Sequence, residues 1–215
     1  LSESLKAFLC QKRTTQVRLI IPKKAAKKQL LDLVKKNIET TFFGDLSKVE
    51  ALQQQLHLQE APQVIECIDI SHLSGTSMVG SLVQYRNGKP DKTSYRRFRI
   101  RTVEGIDDVA AIAEVVRRRY TRLQQEHSDL PQLVIIDGGI GQLNRAVCEL
   151  EAIGLTLPLI AIAKHFEEIY LPGSPEPLHL DKKEKALLFI REIRDEAHRF
   201  AIAYNRLLRK KELRK

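Results

Sequence analysis

The longest apolar runs of the chain are short, rich in β-branched residues and far apart. They read VIECIDIS at 64–71, LVIID at 133–137 and PLIAIAK at 158–164. Runs of this length predict strands that are buried on both faces of a sheet. Residues 77–101 add two more strands, because the intervening RNGKPD is a strong hairpin signal. A further hairpin is predicted over 167–180.

Other segments carry apolar residues three and four positions apart, which predicts amphipathic helices. In the first long segment, Leu30, Leu33 and Val34 share one face, and lysines occupy the other. The predicted helices cover 2–10, 23–42 with an extension through 46–58, 107–125, 141–154 and 183–209. A short strand at 15–22 is expected to precede the second helix.

The order of these elements indicates an α/β fold. Three early strands with hairpin connections precede alternating helices and strands, which is typical of a mixed sheet flanked by helices. The 215 residues suit one sizeable core with a small appendage. The sequence changes character at Pro62. We therefore predict a strand-helix lead-in over 1–61, packed on the core, and a main domain with a basic tail over 62–215. Because the chain begins at Leu1, we expect a piece of a longer protein.

The chain carries a net charge of +9, and its basic residues are clustered. The clusters PKKAAKKQ, YRRFRIR, VVRRRYTR and NRLLRKKELRK favour a nucleic-acid partner, because basic side chains neutralise backbone phosphates. No apolar run is long enough to predict a membrane span. Three widely separated cysteines suit a reducing cytoplasm rather than a disulfide framework.

The loop IDGGIGQLN follows a predicted strand and opens a predicted helix, as nucleotide-binding loops do. Gly139 and Gly141 supply G-x-G, but Asn144 occupies the place of the third glycine, and G-K-[ST] is missing. The loop is therefore a weak candidate for binding a nucleotide. Its glycines instead predict a sharp turn beside a large substrate, with the helix start facing a backbone phosphate.

Two acids, Asp69 and Asp137, stand at the ends of buried apolar runs. A buried carboxylate is costly unless it is paired, hydrogen-bonded or bound to a metal. Two strands of one sheet can bring such acids together, where their repulsion favours a divalent cation. Either acid alone could instead cap a turn.

Further candidates lie on the predicted helices and next to Asp69. His198 borders the apolar stripe of the last helix, where an imidazole could bind a metal or transfer a proton. His72, shortly after Asp69, is a second candidate. Asp107 and Asp108 have two interpretations: acids in a first helical turn oppose the helix dipole, and they could also support a metal or DNA site.

Six motifs, in order, resemble the C-terminal endonuclease half of the UvrC family: IECIDISHLSG, YRRFRI, DDVAAIAEVVRRRY, LVIIDGGIGQLN, IAIAKHFEEIYLPG and IRDEAHRFAI. The resemblance is dense over 62–205 and loose over 5–40. It implies an RNase H-like fold and metal-dependent incision of damaged DNA on the 5′ side of a lesion, in nucleotide excision repair. It does not extend to the family's other nuclease module, UvrB-binding segment or helix-hairpin-helix pair.

The resemblance also implies a set of site residues. The family's catalytic Asp–Asp–His set, which would hold Mg²⁺ or Mn²⁺, corresponds to Asp69, Asp137 and His198. A supporting acid of the family corresponds to Asp107 or, one residue on, to Asp108. Ile140 stands where members often carry Lys, and Asn205 stands where they often carry His.

We therefore predict a monomeric, metal-dependent endodeoxyribonuclease domain that acts on damaged duplex DNA and, in the full-length protein, on a UvrB–DNA complex. The predicted phosphate contacts are Arg96, Arg97, Arg117, Arg118, Arg119 and Arg199. Two alternatives stay open. One is a non-catalytic DNA-binding or assembly domain of a UvrC-like protein, and the other is an endonuclease V-like repair nuclease of the same fold class. Metal-dependent nicking would exclude the first, and an inosine preference would favour the second.

Overall fold

The structure, a computed structural model, describes residues 8–12, 20–38, 45–73, 77–103, 105–163 and 167–212. The chain forms two compact units, Leu1–Phe43 and Gly44–Lys215. In the first unit, residues 8–12 are helical (α1) and a second helix, α2, covers Ala25–Ile38. The predicted helix over 23–42 is thus confirmed in its central part. The predicted strand at 15–22 falls mostly outside the described residues.

The second unit contains a sheet and four long helices within the described part of the chain. Its helices are α3 (Leu46–Gln55), α4 (Asp108–Gln125), α5 (Ile140–Ala152) and α6 (Lys185–Glu212). Its strands are β1 (Val64–Leu73), β2 (Ser77–Arg86), β3 (Lys89–Pro90), β4 (Arg96–Arg99), β5 (Leu133–Asp137), β6 (Leu159–Ile162) and β7 (Ile169–Tyr170). Each strong apolar run of the sequence is therefore a strand. No helix that the structure describes has both the length and the apolarity of a membrane span.

The seven strands form one mixed sheet in the order β3-β2-β1-β5-β6-β7, with β4 also paired to β2. The hairpin strands β1 and β2 are antiparallel, whereas β1, β5 and β6 are mutually parallel. Because β1, β5 and β6 are parallel neighbours, their carboxyl ends lie at the same edge of the sheet. The predicted α/β fold, a mixed sheet flanked by helices, is confirmed.

Helices cover both faces of the sheet and create two cores. One core joins alternate residues of the strands, such as Cys67 and Ile135, to α3 and α6. The other joins the intervening residues, such as Ile68 and Ile136, to α4 and α5. Side chains alternate between the two faces of a strand, so the position of a residue along β1 determines which helices it meets.

Residues 45–58, which the sequence placed in a lead-in, belong to the second unit. Val49 and Leu52 of α3 are buried in the same core as Ile190 and Ile193 of α6. The predicted lead-in of 1–61 therefore spans both units. The hairpin predicted over 167–180 is present in reduced form, as β7 and a single bridge between Ile169 and Leu178.

Candidate active site

Asp69 and Asp137 are directly opposite each other in the parallel pair of β1 and β5. Both are buried, with 0% and 4% of their surface exposed. They follow Cys67 and Ile135 by two positions, so they face the same side of the sheet as the core under α6. The fold thus brings together, at the carboxyl edge of two parallel strands, two acids that are far apart in the sequence.

The third group, His198, comes from α6. This helix docks on the sheet through a buried stripe that includes Ile193, Ala197 and Ala201. His198 follows Ala197 and so lies at the edge of the stripe, where half of its side chain (51%) stays exposed. Its Nδ1 is 3.9 Å from an Oδ1 of Asp69. His198 therefore lies on the solvent side of the two acids, and the strands lie on their buried side.

Together, these three side chains form a compact set of ligand atoms. One carboxylate oxygen of Asp69, one of Asp137 and one ring nitrogen of His198 all lie within 4.8 Å of one another. Ligands of one Mg²⁺, each at roughly 2.1 Å, would be separated by about 3–4 Å. A slight contraction would therefore allow a shared ion. Two carboxylates and one imidazole fit a hard divalent cation such as Mg²⁺ or Mn²⁺.

The thiol of Cys67 lies beneath this cluster and responds to its charge. Burial raises the pKa of Cys67 well above its usual value, and the negative charges of Asp137 and Asp69 raise it further, whereas Arg194 lowers it. The thiol therefore stays protonated at neutral pH. Cys67 acts as a small apolar residue below the acids, and it is not a candidate ligand.

Asp107, Asp108 and His72 form a separate group on the other side of the sheet. His72 is three positions after Asp69 on β1, so it faces away from α6. Its Nε2 lies 3.0 Å from an Oδ1 of Asp108. Asp107 caps α4, because its Oδ1 accepts a hydrogen bond of 2.9 Å from the N–H of Ala110. The structure supports the capping interpretation for Asp107 and does not bring either acid into the Asp69 cluster.

The glycine loop after β5 turns tightly into α5. The N–H of Gly139 donates to the Oε1 of Gln142 at 2.9 Å. A Cβ at Gly138 would lie only 1.9 Å from that Oε1. A side chain at 138 would therefore displace Gln142 from the helix start. Sequence reasoning missed Gln142, although a glutamine three residues after an N-cap is a known capping signal.

The predicted arginines have different surroundings. Arg97 stacks on the rings of Phe200 and Tyr204, at 4.4 and 4.8 Å from the ring centres. Four predicted arginines have side chains that are at least about one-third exposed, and each guanidinium contacts a backbone carbonyl or a carboxylate. These are Arg96, Arg117, Arg118 and Arg199.

Arg119 differs from the other predicted arginines. It is buried, and its guanidinium is bonded to the buried carboxylate of Glu66. The prediction for Arg119 is therefore corrected, because a guanidinium buried in an ion pair is not available to a phosphate.

Comparisons with known proteins agree with the motif-based resemblance. A model of the UvrC RNAse H endonuclease domain matches residues 53–202. UvrABC system protein C of Methanosarcina barkeri is 61% identical over 213 residues, which are 99% of this chain and 41% of that protein. The homologue of Solibacter usitatus is 46% identical over 217 residues, covering 96% of this chain and 35% of that protein. The chain thus spans less than half the length of these relatives.

Solved structures with a similar arrangement of elements include human ENDOV. Its crystal structure aligns with a TM-score of 0.39 and 13% identity, over 79% of this chain and 97% of that one.

Proposed function

The chain belongs to the family of UvrC RNase H endonuclease domains, and on this premise we propose that it cuts one strand of damaged DNA by divalent-metal-dependent hydrolysis. The cut is the incision on the 5′ side of the lesion in nucleotide excision repair. The observation that carries the proposal is the set of two buried carboxylates and one imidazole within 4.8 Å of one another.

In this proposal Asp69, at the carboxyl end of β1, and Asp137, at that of β5, would hold Mg²⁺ or Mn²⁺. A bound ion of this kind polarises the scissile phosphate and lowers the pKa of a water molecule. The strands keep both carboxylates in place, because Asp69 and Asp137 are directly paired in the sheet. His198 is half exposed, so it can either complete the ligand set or accept a proton as water attacks the phosphorus.

The DNA is positioned by surface arginines that contact phosphates without reading bases. The guanidinium of Arg97 lies over the rings of Phe200 and Tyr204 of α6, the helix that carries His198. Arg96 and Arg199 lie on the same β4 and α6 elements. The relatives' name, UvrABC system protein C, supports a role beside the other proteins of that system. In this proposal the DNA is presented on a UvrB complex.

The direct test is incision of an end-labelled, damaged duplex by this chain, supplied with UvrA, UvrB and the remaining parts of UvrC. We expect a 5′ cut in Mg²⁺ or Mn²⁺ and none in EDTA. The variant Asp137→Asn should not cut. Its matched control is Asp129→Asn, which changes an exposed acid in the loop before β5, at the other end of that strand from Asp137.

The outcomes separate the alternatives. Cutting that persists in EDTA, or that survives Asp137→Asn, would contradict the metal-site proposal. DNA binding without cutting by the parent would indicate the non-catalytic assembly role. A parallel duplex with inosine in place of the lesion tests the endonuclease V-like alternative, which predicts preferential cutting of that duplex.

A further inference from the structure

A cavity of about 480 Å³ lies beside α4 and α5, on the face of the sheet opposite α6. Four of the residues that line it are Arg101, Arg117, Arg118 and Arg145. Arg101 follows β4, Arg117 and Arg118 belong to α4, and Arg145 belongs to α5. The fold thus concentrates basic side chains from three separate segments around one depression.

The carboxylate of Glu114 fixes one side of this cavity. Only 6% of its side chain is exposed, and it binds Arg118 at 2.6 Å. It also accepts hydrogen bonds from the N–H groups of Arg101 and Thr102 and from the Thr102 hydroxyl, at 2.8–2.9 Å. Burial alone would raise the pKa of Glu114, but these bonds outweigh it and lower the pKa to about 2. Glu114 is therefore a fixed anion that holds the loop after β4 against α4.

Glu149 fixes the other side. Its side chain is 5% exposed and binds Arg117 at 2.7 Å and Arg145 at 2.8 Å. One carboxylate therefore binds two arginines, whose side chains remain 59% and 46% exposed. Arg101 has no ion pair with any residue in the described ranges. Four arginines against two carboxylates leave an excess of two positive charges, and three of the four guanidinium groups are held by ion pairs before any ligand binds.

The helices α4 and α5, which line the cavity, both begin near the carboxyl edge of the sheet where the two acids lie. The helix α5 begins three residues after Asp137, and Arg145 lies about 8 Å further along it, at 1.5 Å per residue. The helix α4 begins at Asp108, which contacts His72 of β1, and Arg117 lies about 13 Å further along.

We propose that this cavity binds a backbone phosphate of the nucleic acid, away from the bond that is cut. The inference rests on the proposed nuclease function and adds a second contact point for the same strand. Guanidinium groups bind phosphate oxygens in pairs, and two that share one carboxylate keep free N–H donors for such oxygens. Glu114 holds Arg118, Glu149 holds Arg117 and Arg145, and neither carboxylate contacts the phosphate.

The test measures the salt dependence of duplex DNA binding in EDTA, where no cutting occurs. The double variant Arg117→Gln/Arg145→Gln removes two cavity charges. If both contact phosphate, the slope of log affinity against log salt should fall by about 1.8, because each contact contributes about 0.9. The control Arg86→Gln/Arg122→Gln removes two equally exposed arginines outside the cavity, and its slope should change by less than about 0.5.

A second variant keeps the test valid if the double variant does not fold. Arg101→Gln removes a charge that has no ion pair in the described ranges, and it should lower the slope by about 0.9. Slopes equal to that of the control in all cavity variants would overturn the proposal. Inorganic phosphate is the other probe: if it protects the parent but not Arg101→Gln against heat, while the DNA slopes stay equal, the cavity binds a free anion and the backbone assignment is wrong.

The experiment also separates this inference from the proposed function, because binding and cutting are measured separately. Asp137→Asn should lose cutting and keep the parent slope, whereas the cavity variants should lower the slope. Absence of metal-dependent cutting by the parent would refute the nuclease proposal, and the slopes would still report on the cavity.

Discussion

Glu66 and Asp69 are two buried carboxylates on the same strand, three residues apart, and their surroundings are opposite. Glu66 is 1% exposed and faces α4, where it meets the guanidinium of Arg119 and the hydroxyl of Tyr120 at 3.0 Å. Asp69 is 0% exposed and faces α6, where a second carboxylate and a half-exposed imidazole gather around it. An odd separation along a strand thus places one acid among groups that neutralise it and the other beside a like charge.

Glu66 is thus an acid that stabilises the fold, whereas Asp69 is an acid that is suited to a functional site. A buried carboxylate beside a guanidinium is satisfied within the fold, and removing one partner leaves a buried charge. Two buried carboxylates side by side repel each other and gain from a cation. Such arrangements lower stability and are typical of functional sites. Four predictions test this distinction.

The largest effect is expected for Asp69→Asn. We expect cutting to fall by at least roughly 1000-fold, or about 4 kcal/mol, because one proposed ligand of the metal ion is lost. Without metal, the free energy of unfolding should not decrease by more than about 1 kcal/mol, because the change preserves shape and removes a like-charge contact. Incision assays and urea unfolding in EDTA measure the two quantities. A large loss of stability together with normal cutting would reverse the roles of the two acids.

Glu66→Gln should show the opposite behaviour. It leaves the charge of Arg119 buried without its counter-ion, so we expect the free energy of unfolding to fall by about 3 kcal/mol. Cutting by the fraction that remains folded should be nearly unchanged. The control is Glu126→Gln, because Glu126 forms an exposed ion pair with Arg122, and pairs of this kind contribute little. Equal stability of the two variants would mean that the pair of Glu66 and Arg119 does not support the fold.

His198 tests whether the third member of the cluster is a ligand. His198→Ala should lower cutting about 100-fold, or roughly 2.7 kcal/mol. His198→Asp should restore part of the activity if the imidazole binds the ion, because carboxylate oxygen suits Mg²⁺. It should not do so if the imidazole transfers a proton, because the pKa of Asp is about 3.9 rather than about 6.5. Nicking against pH in Mg²⁺ and Mn²⁺ checks this, and full activity of His198→Ala would remove the residue from the site.

The smallest effect concerns Glu114, a second structural acid on the α4 side. Its pKa is about 2 in the folded protein, below the ordinary value of 4.5. The stability that it contributes is therefore present above pH 4.5 and lost as the pH falls towards 2. Glu114→Gln should be about 2 kcal/mol less stable than the parent at pH 7 and nearly equal to it at pH 2.

Urea unfolding from pH 7 to pH 2 measures this difference, with Glu151→Gln, an exposed position of α5, as the control. A difference that is the same at both ends of the range would show that the lost stability does not come from the carboxylate charge.

Much of the fold follows from the sequence because the parallel strands are buried on both faces. A strand of that kind has no polar alternation and must be apolar along its length, so Leu133–Asp137 and Leu159–Ile162 could be recognised directly. The local sequence predicts less well those segments whose conformation depends on other parts of the fold. β3 has two residues, and β7 has two, and both depend on their neighbours in the sheet rather than on local preference.

The sequence predicts which residues form the candidate site, but it does not predict all the residues that surround them. Asp69 and Asp137 end apolar runs, which the sequence shows, but their direct pairing depends on β1 lying beside β5 in the sheet. The sequence itself indicates that Arg119 is buried, because Val115, Arg119 and Leu123 are spaced by four and share the buried face of α4. The partner of Arg119, Glu66, lies 53 residues away and could not be identified from local spacing.

The position of α6 has a consequence for how the protein is made. The acids lie on β1 and β5, but His198 and a large part of the core under the sheet come from a helix that begins at Lys185. A growing chain on the ribosome therefore carries both acids well before it carries the helix that covers them. It has neither a finished core nor the third member of the Asp69 cluster until α6 emerges, so a copy that ends before α6 would be poorly folded and would lack His198.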